Sequence, residues 1–228
     1  MSATPPDTTD GEGGAALPYD AVAASQALAA ADPRLGDVIA RVGPPEIGYR
    51  PAETFDALLR SVVYQQLSGK AAGTIHGRVL AALGDGDRAA PEAVAAAPDE
   101  ALRACGLSRA KTAALRDLAG RHLDGSLPAR AALAQMDNAD VVDALTAVRG
   151  VGPWTAQMVL MFTLGRPDVW PTGDLGVQEG YRLVSGAAER PTPRALAAAG
   201  EPYRPWRSVA AWYLWRAVDL ARAGGEEG

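Results

Sequence analysis

The chain has 228 residues, 48% hydrophobic and 21% charged, which is room for one large domain or two small ones around a core that needs no cross-links. Its single cysteine, Cys105, excludes an intramolecular disulfide, a cysteine-rich zinc site and a four-cysteine iron–sulfur cluster, and no apolar run reaches the ~18 residues of a membrane span. The net charge of −5 looks unsuited to a polyanionic partner, yet the acids crowd the two ends, and residues 33–222 carry 22 basic against 20 acidic side chains.

Residues 1–16 are small, polar and acidic, with Pro and Gly, and read as a disordered tail. No basic region followed by an apolar one opens the chain, so no secretory signal is expected and a reducing cytoplasm is the natural compartment. Helical signals then recur. Residues 19–31 are Ala-rich and stop before Pro33. Thr54 can cap a helix through Leu67 with Phe55, Leu58, Leu59, Val62 and Val63 on one stripe. Ser68 opens a helix that carries Ile75, Val79, Leu80 and Leu83 and stops near Gly84. Shorter or longer helices are expected over residues 99–105, 108–125 and 139–148. Pro153 suits the first position of the next, which runs to Leu164 and ends at Gly165. Residues 175–184, 193–199 and 205–223 complete about ten helices, and residues 223–228 read as a second tail. Alternating, β-branched runs are missing, so the fold is read as all-α.

The stretch Arg149-Gly150-Val151-Gly152-Pro153-Trp154-Thr155 is the most informative. Two glycines flank one apolar residue between two amphipathic helices; they permit positive φ and a close backbone approach, while Val151 can anchor the turn from inside. Loop amides and the N-terminal amides of the following helix would then face one way and bind an anion such as a phosphodiester without any lysine. A tight helix–helix connection with a glycine cap is the bland account of a lone Gly-x-Gly, and the Pro and flanking helices favour the phosphate. Twenty residues beyond Trp154, Asp174 stands where Trp170-Pro-Thr-Gly-Asp174 turns into a helix. Alone it reads as an N-cap worth ~1 kcal/mol, a role compatible with that of an active-site carboxylate, since exposed amides would keep it ionised and fix its rotamer. All five tryptophans (154, 170, 206, 212 and 215) lie in the last third of the chain. Core is the natural role for Trp206 and Trp212, but the clustering also suits a pocket that stacks a planar base.

Taken together, Leu145…Gly150-Val-Gly-Pro-Trp-Thr-Ala156…Pro171-Thr-Gly-Asp174 resembles the helix–hairpin–helix (HhH-GPD) DNA glycosylase superfamily, and within it the 3-methyladenine glycosylase II branch. Val63-Tyr-Gln-Gln-Leu-Ser68, Cys105-Gly-Leu-Ser-Arg-Ala-Lys111 and Pro205-Trp-Arg-Ser208 support the branch, and the resemblance covers about residues 35–222. It implies two helical subdomains with an active cleft between them: residues 50–152, ending in the hairpin, and residues 17–49 joined to 153–222. It implies Asp174 as the catalytic residue, Trp154, Trp215, Tyr64 and Gln65 about the base, and Gly150, Val151, Gly152 and Thr155 on DNA phosphate. Relatives hold a monovalent cation on hairpin carbonyls, here those of Val148 and Val151; no other metal and no cofactor is expected. Where the bifunctional members carry a Schiff-base lysine this chain has Trp154, and no lysine follows Lys111, so hydrolysis without lyase chemistry is implied. The implied partner is double-stranded DNA bearing alkylated bases, met by a monomer. A non-catalytic helix–hairpin–helix DNA-binding protein, or a glycosylase for another lesion, would carry the same hairpin. Met158 in place of a pocket tyrosine and Gly173 in place of a second acid are departures that bear on substrate range.

Overall fold

A computed structural model describes residues 15–84 and 86–225. Among them are thirteen α-helices, one 3-10 turn and no strand beyond an isolated bridge between Gly84 and Ala89. The all-α reading holds. The chain folds into two compact units, residues 51–164 and residues 1–50 with 165–228.

The 51–164 unit is built on α3 (Thr54–Tyr64) and α7 (Arg109–Leu123). The predicted α3 stripe of Phe55, Leu58, Leu59, Val62 and Val63 is buried, and α7 answers with Leu115, Leu118 and Ala119. Around α7 pack α5 (Pro91–Ala96) and α6 (Asp99–Ala104), while α4 (Gly69–Leu83) packs on α3. Ser68 caps α4 as expected, through a long bond from the Ala71 amide. The α3 helix stops three residues short of the expected Leu67: its C-cap Gln65 leaves the helical region and Gln66 takes φ +59°. The short α8 (Arg130–Leu133) precedes α9 (Asn138–Thr146) and α10 (Pro153–Phe162). A boundary at 152/153 was expected, but α10 packs on α9 and α3 and stays with this unit.

The other unit is organised by α13 (Arg207–Gly225), which packs against α11 (Leu175–Ser185), α2 (Pro33–Val42) and α1 (Ala21–Ala31); α12 (Pro193–Ala199) and the 3-10 turn Glu201–Tyr203 close one side. The α2 helix was not expected. Pro33 reads as a stop for the helix before it, but it also serves as the first residue of the next, because Pro lacks only an amide that a first turn leaves unpaired. Asp32 caps that helix: its Oδ1 accepts the Arg34 amide at 3.0 Å and its Oδ2 accepts the Tyr203 hydroxyl at 2.8 Å. Burial pushes the Asp32 carboxyl up, but hydrogen bonds from the Arg34 side chain, Tyr203 and the Arg34 amide outweigh it and hold the group below the usual carboxylate range. Gly180 sets the spacing of α11 on α13, since a Cβ there would lie 2.1 Å from the Leu214 carbonyl oxygen. Residues 1–14 and 226–228 of the expected tails lie outside the described residues; within them, the Ala15 amide donates to the Tyr49 carbonyl and α13 runs on to Gly225.

Candidate active site

In the 51–164 unit the chain leaves α9, turns through Val148 to Gly152 and enters α10 at Pro153. Gly150 has φ +79°, a conformation that costs other residues ~1–2 kcal/mol, and a Cβ on it would meet Ala114 at 3.2 Å. Val151 is buried, as an anchor should be, and its amide donates to the Val148 carbonyl at 3.1 Å. Gly152 departs from expectation: its φ of −98° is open to any residue. What the glycine secures there is bareness, since a Cβ would find nothing within 4 Å. A partner can therefore approach the first turn of α10, whose amides have no carbonyl one turn back.

Neighbouring helices hold the hairpin. Asp117 on α7 accepts the Arg149 amide at 2.8 Å and the Arg121 Nε at 2.9 Å on the same oxygen, Oδ2. Burial pushes the Asp117 carboxyl up, but the bonds from the Arg149 amide and the Arg121 side chain prevail and leave it below its ordinary range. A carboxylate with a depressed folded pKa contributes its stability above its unfolded pKa of about 4 and loses it as pH falls through the lower folded value. The native chain should thus resist urea better than Asp117→Asn at pH 6, with the difference closing as pH falls through the lowered folded value. A difference that stays constant with pH in urea titrations would contradict a charge-based anchor.

Gln65, at the end of α3, donates its Nε2 to the Gly150 carbonyl at 3.0 Å and, at a longer 3.4 Å, to the Thr155 Oγ1. The resemblance implies Gln65 about the base and Thr155 on phosphate; here the Gln65 amide bonds to the hairpin, and Thr155 is buried. Tyr64 lies with the Arg60 guanidinium 4.0 Å from its ring centroid and His76 edge-on at 6.1 Å. Trp154, half-buried, occupies the second position of α10. The expected cation site rests on backbone oxygens alone. Val148 already accepts the Val151 amide there, and among the described residues no cluster of three His, Cys, Asp or Glu side chains is placed to hold a metal.

In the other unit, Asp174 caps α11, and the residue is 3% exposed. Its Oδ1 accepts the Val177 amide at 2.7 Å and the Trp215 indole Nε1 at 3.0 Å. Gly176 makes the second bond sterically feasible, because a Cβ there would lie 2.8 Å from Trp215 Cδ1. The loop leading to Asp174 is fixed by residues the sequence offered only as family signature. Ser208 accepts the Val169 amide at 3.0 Å and donates to the Arg166 carbonyl at 2.7 Å, and Arg207 forms an ion pair with Asp168. Trp170 donates to the Leu196 carbonyl at 2.8 Å and, like Trp212, is buried. Asp174 and Trp215 thus come together in one unit, and Tyr64, Gln65, Gly150, Val151, Gly152, Trp154 and Thr155 belong to the other.

Comparison with known proteins gives this arrangement a family. The HhH-GPD superfamily of base excision DNA repair proteins matches residues 59–205, spanning the hairpin and Asp174. The chain belongs to that family. Its relatives include DNA-3-methyladenine glycosylase 1 of Schizosaccharomyces pombe, 35% identical over 179 residues, 76% of this chain and 78% of the relative. DNA-3-methyladenine glycosylase 2 of Escherichia coli is 30% identical over 55% of this chain and 41% of its own length. Among solved structures, the Schizosaccharomyces pombe 3-methyladenine DNA glycosylase in complex with abasic DNA superposes with a TM-score of 0.78 at 32% identity, covering 87% of this chain and 98% of that one. A DNA-3-methyladenine glycosidase from Bacillus halodurans gives a TM-score of 0.77 at 36% identity, over 87% and 91% of the two chains. The chain shares its all-helical HhH-GPD fold with both.

Proposed function

We propose that this HhH-GPD protein is a monofunctional DNA glycosylase that releases alkylated, cationic purines such as 3-methyladenine and 7-methylguanine from double-stranded DNA and leaves an abasic site. The observation that carries the reading is Asp174: a buried carboxylate whose Oδ1 is fixed by a helix-terminal amide and an indole N–H. Such a group is expensive to keep for capping alone, because an exposed side chain caps a helix as well. The relatives named for 3-methyladenine supply the substrate class.

A base stacked in a duplex must leave the stack before its glycosidic bond can be reached. Backbone amides at the bare Gly152 face would hold a phosphate near the lesion. Breakage of the C1′–N bond sends its electron pair to the cationic base, which departs neutral and needs no general acid. The positive charge passes to the sugar as an oxocarbenium ion, which the Asp174 carboxylate stabilises. Water then adds at C1′ and sheds a proton, giving the abasic hemiacetal. Trp215 fixes the Asp174 carboxylate through its indole N–H, and the half-buried Trp154 carries an electron-rich face of the kind that binds a cationic base with ~1–2 kcal/mol. With no lysine after Lys111, no amine of the hairpin or of α10 to α13 can form a Schiff base with the sugar.

The protein would act as a monomer in the cytoplasm; its one cysteine is buried and free, and among the described residues no helix is long and apolar enough to cross a membrane. Incubation with methylated duplex DNA should release 3-methyladenine or 7-methylguanine as free base, with strands nicked only after alkali. Spontaneous nicking would indicate lyase chemistry, and no base release above the protein-free control would reject the assignment.

A further inference from the structure

The α3–α4 turn is an unusual piece of backbone. Gln66 is the only non-glycine among the described residues with positive φ, and the turn's own closing bond, Leu67 N–H to Tyr64 O, is a long 3.4 Å. A non-glycine residue in that region costs ~1–3 kcal/mol and persists only where its surroundings over-determine it. What determines it here comes from a distant helix: the Lys111 Nζ on α7 donates to the carbonyls of Val63 and Gln65, each at 2.7 Å. These are among the carbonyls that a helix C-terminus leaves unpaired, and a cation there also meets the negative end of the α3 dipole. Burial pushes the Lys111 ammonium down from its ordinary pKa, which marks a charge kept partly dry in order to make these bonds.

The same side of α7 holds the hairpin. Lys111, Ala114 and Asp117 recur every three residues, so they share a face. Ala114 lies where a Cβ on Gly150 would meet it at 3.2 Å, and Asp117 takes the Arg149 amide. Gln65 then ties one held segment to the other through the Gly150 carbonyl. One helix face thus sets the distance between two loops that lie 85 residues apart in sequence.

We propose that Lys111 is a positioning residue for DNA engagement: it fixes the 64–67 turn at a set spacing from the hairpin and does not itself touch the nucleic acid. The role in DNA engagement rests on the glycosylase reading, whereas the fixing of the turn does not. The test uses the full chain with Lys111→Met, which keeps the stem and removes the donors, and Lys111→Arg, which keeps donors and charge. By hydrogen exchange, amides 65–68 should exchange at least tenfold faster in Lys111→Met, while the hairpin amides, still held by Asp117, and those of α13 keep native rates. Affinity for a duplex carrying an abasic-site analogue should fall about tenfold with the salt dependence unchanged, and Lys111→Arg should recover most of it. Combined with Gln65→Ala, the loss should be less than additive, because both act through one turn.

Native affinity in Lys111→Met at a temperature where it is folded would reduce the residue to a structural role and overturn the proposal. So would a salt slope shallower by ~0.9, the signature of a lost phosphate contact. If Lys111→Met does not fold, Lys111→Ala, which also lacks the donors, is measured in its place and judged by the same outcomes. If the native chain releases no base, the glycosylase reading fails, yet the binding comparison still decides on Lys111. If it also fails to bind the abasic duplex, the role in DNA engagement is overturned with that reading, and exchange at residues 65–68 reports only on the turn.

Discussion

Asp174→Asn should lower the single-turnover rate of base release by about 100- to 1,000-fold, the scale on which removing one electrostatic stabiliser of a transition state is felt. Folding should barely register the change. Asparagine caps helices about as well as aspartate, and its carbonyl can still accept the Val177 amide and the Trp215 indole that now bond to Oδ1. Lost with the carboxylate is the negative charge that answers the developing oxocarbenium ion. Affinity for a methylated duplex should therefore stay within about threefold of native, well under the 1.4 kcal/mol that a tenfold change represents. Asp174→Ala is the worse probe, because it strands the Val177 amide and the indole N–H in a 3%-exposed site at a cost of ~1–3 kcal/mol each. An asparagine variant that releases base at the native rate would make Asp174 a cap and nothing more.

Gly180→Ala should be among the most damaging conservative substitutions in the chain. The added methyl would lie 2.1 Å from the Leu214 carbonyl oxygen and 2.6 Å from its carbon, which are backbone atoms that no rotamer change can move aside. Either α11 or α13 must shift, at a cost of ~3 kcal/mol, the upper end for overpacking. For a chain of this size that corresponds to a fall in Tm of about 6–12 °C. Activity should fall further than stability alone explains, because α11 begins at Asp174 and α13 carries Trp215, the two ends of the buried hydrogen bond. Gly77→Ala is the control. Gly77 is exposed in the middle of α4 and its added Cβ would meet nothing within 4 Å, so alanine there should stabilise by ~0.5–1 kcal/mol. A Gly180→Ala protein melting within 2 °C of native would show that the two helices are free to slide, which the close approach at Leu214 denies.

Local signals in the sequence read well where one residue type has one physical use. Gly150 at positive φ, Val151 buried, Pro153 opening α10 and Asp174 capping α11 all follow from the chemistry of those residues in that order. Pro33 shows the limit: the same ring that ends one helix can begin the next, and the signal that decides, Asp32 as a cap, sits one residue earlier. The site's cross-connections were out of reach. Gln65 meets Gly150, and Lys111 meets Val63, through contacts between segments far apart in the chain, and no local pattern carries that information. Helical spacing could not separate Trp215 from Trp212, which lie three residues apart and are both buried. Only the partner across the helix, Asp174 in one case, distinguishes them.

The order in which the two units are completed during synthesis follows from their connectivity. Residues 51–164 are contiguous, so everything α7 organises leaves the ribosome together and can fold at once. The remaining unit joins the first helices to the last. Leu28, Leu35 and Val38, buried in the finished protein, belong to α1 and α2, and α13, which packs on both helices, is made some 160 residues later. At ~5–20 residues per second, that apolar pair waits roughly 10–30 s for its cover. The α1–α2 hairpin is therefore the segment of a nascent chain for which a holding chaperone has the most to do, and one whose exposed alanines and leucines would set the protein's tendency to aggregate during synthesis.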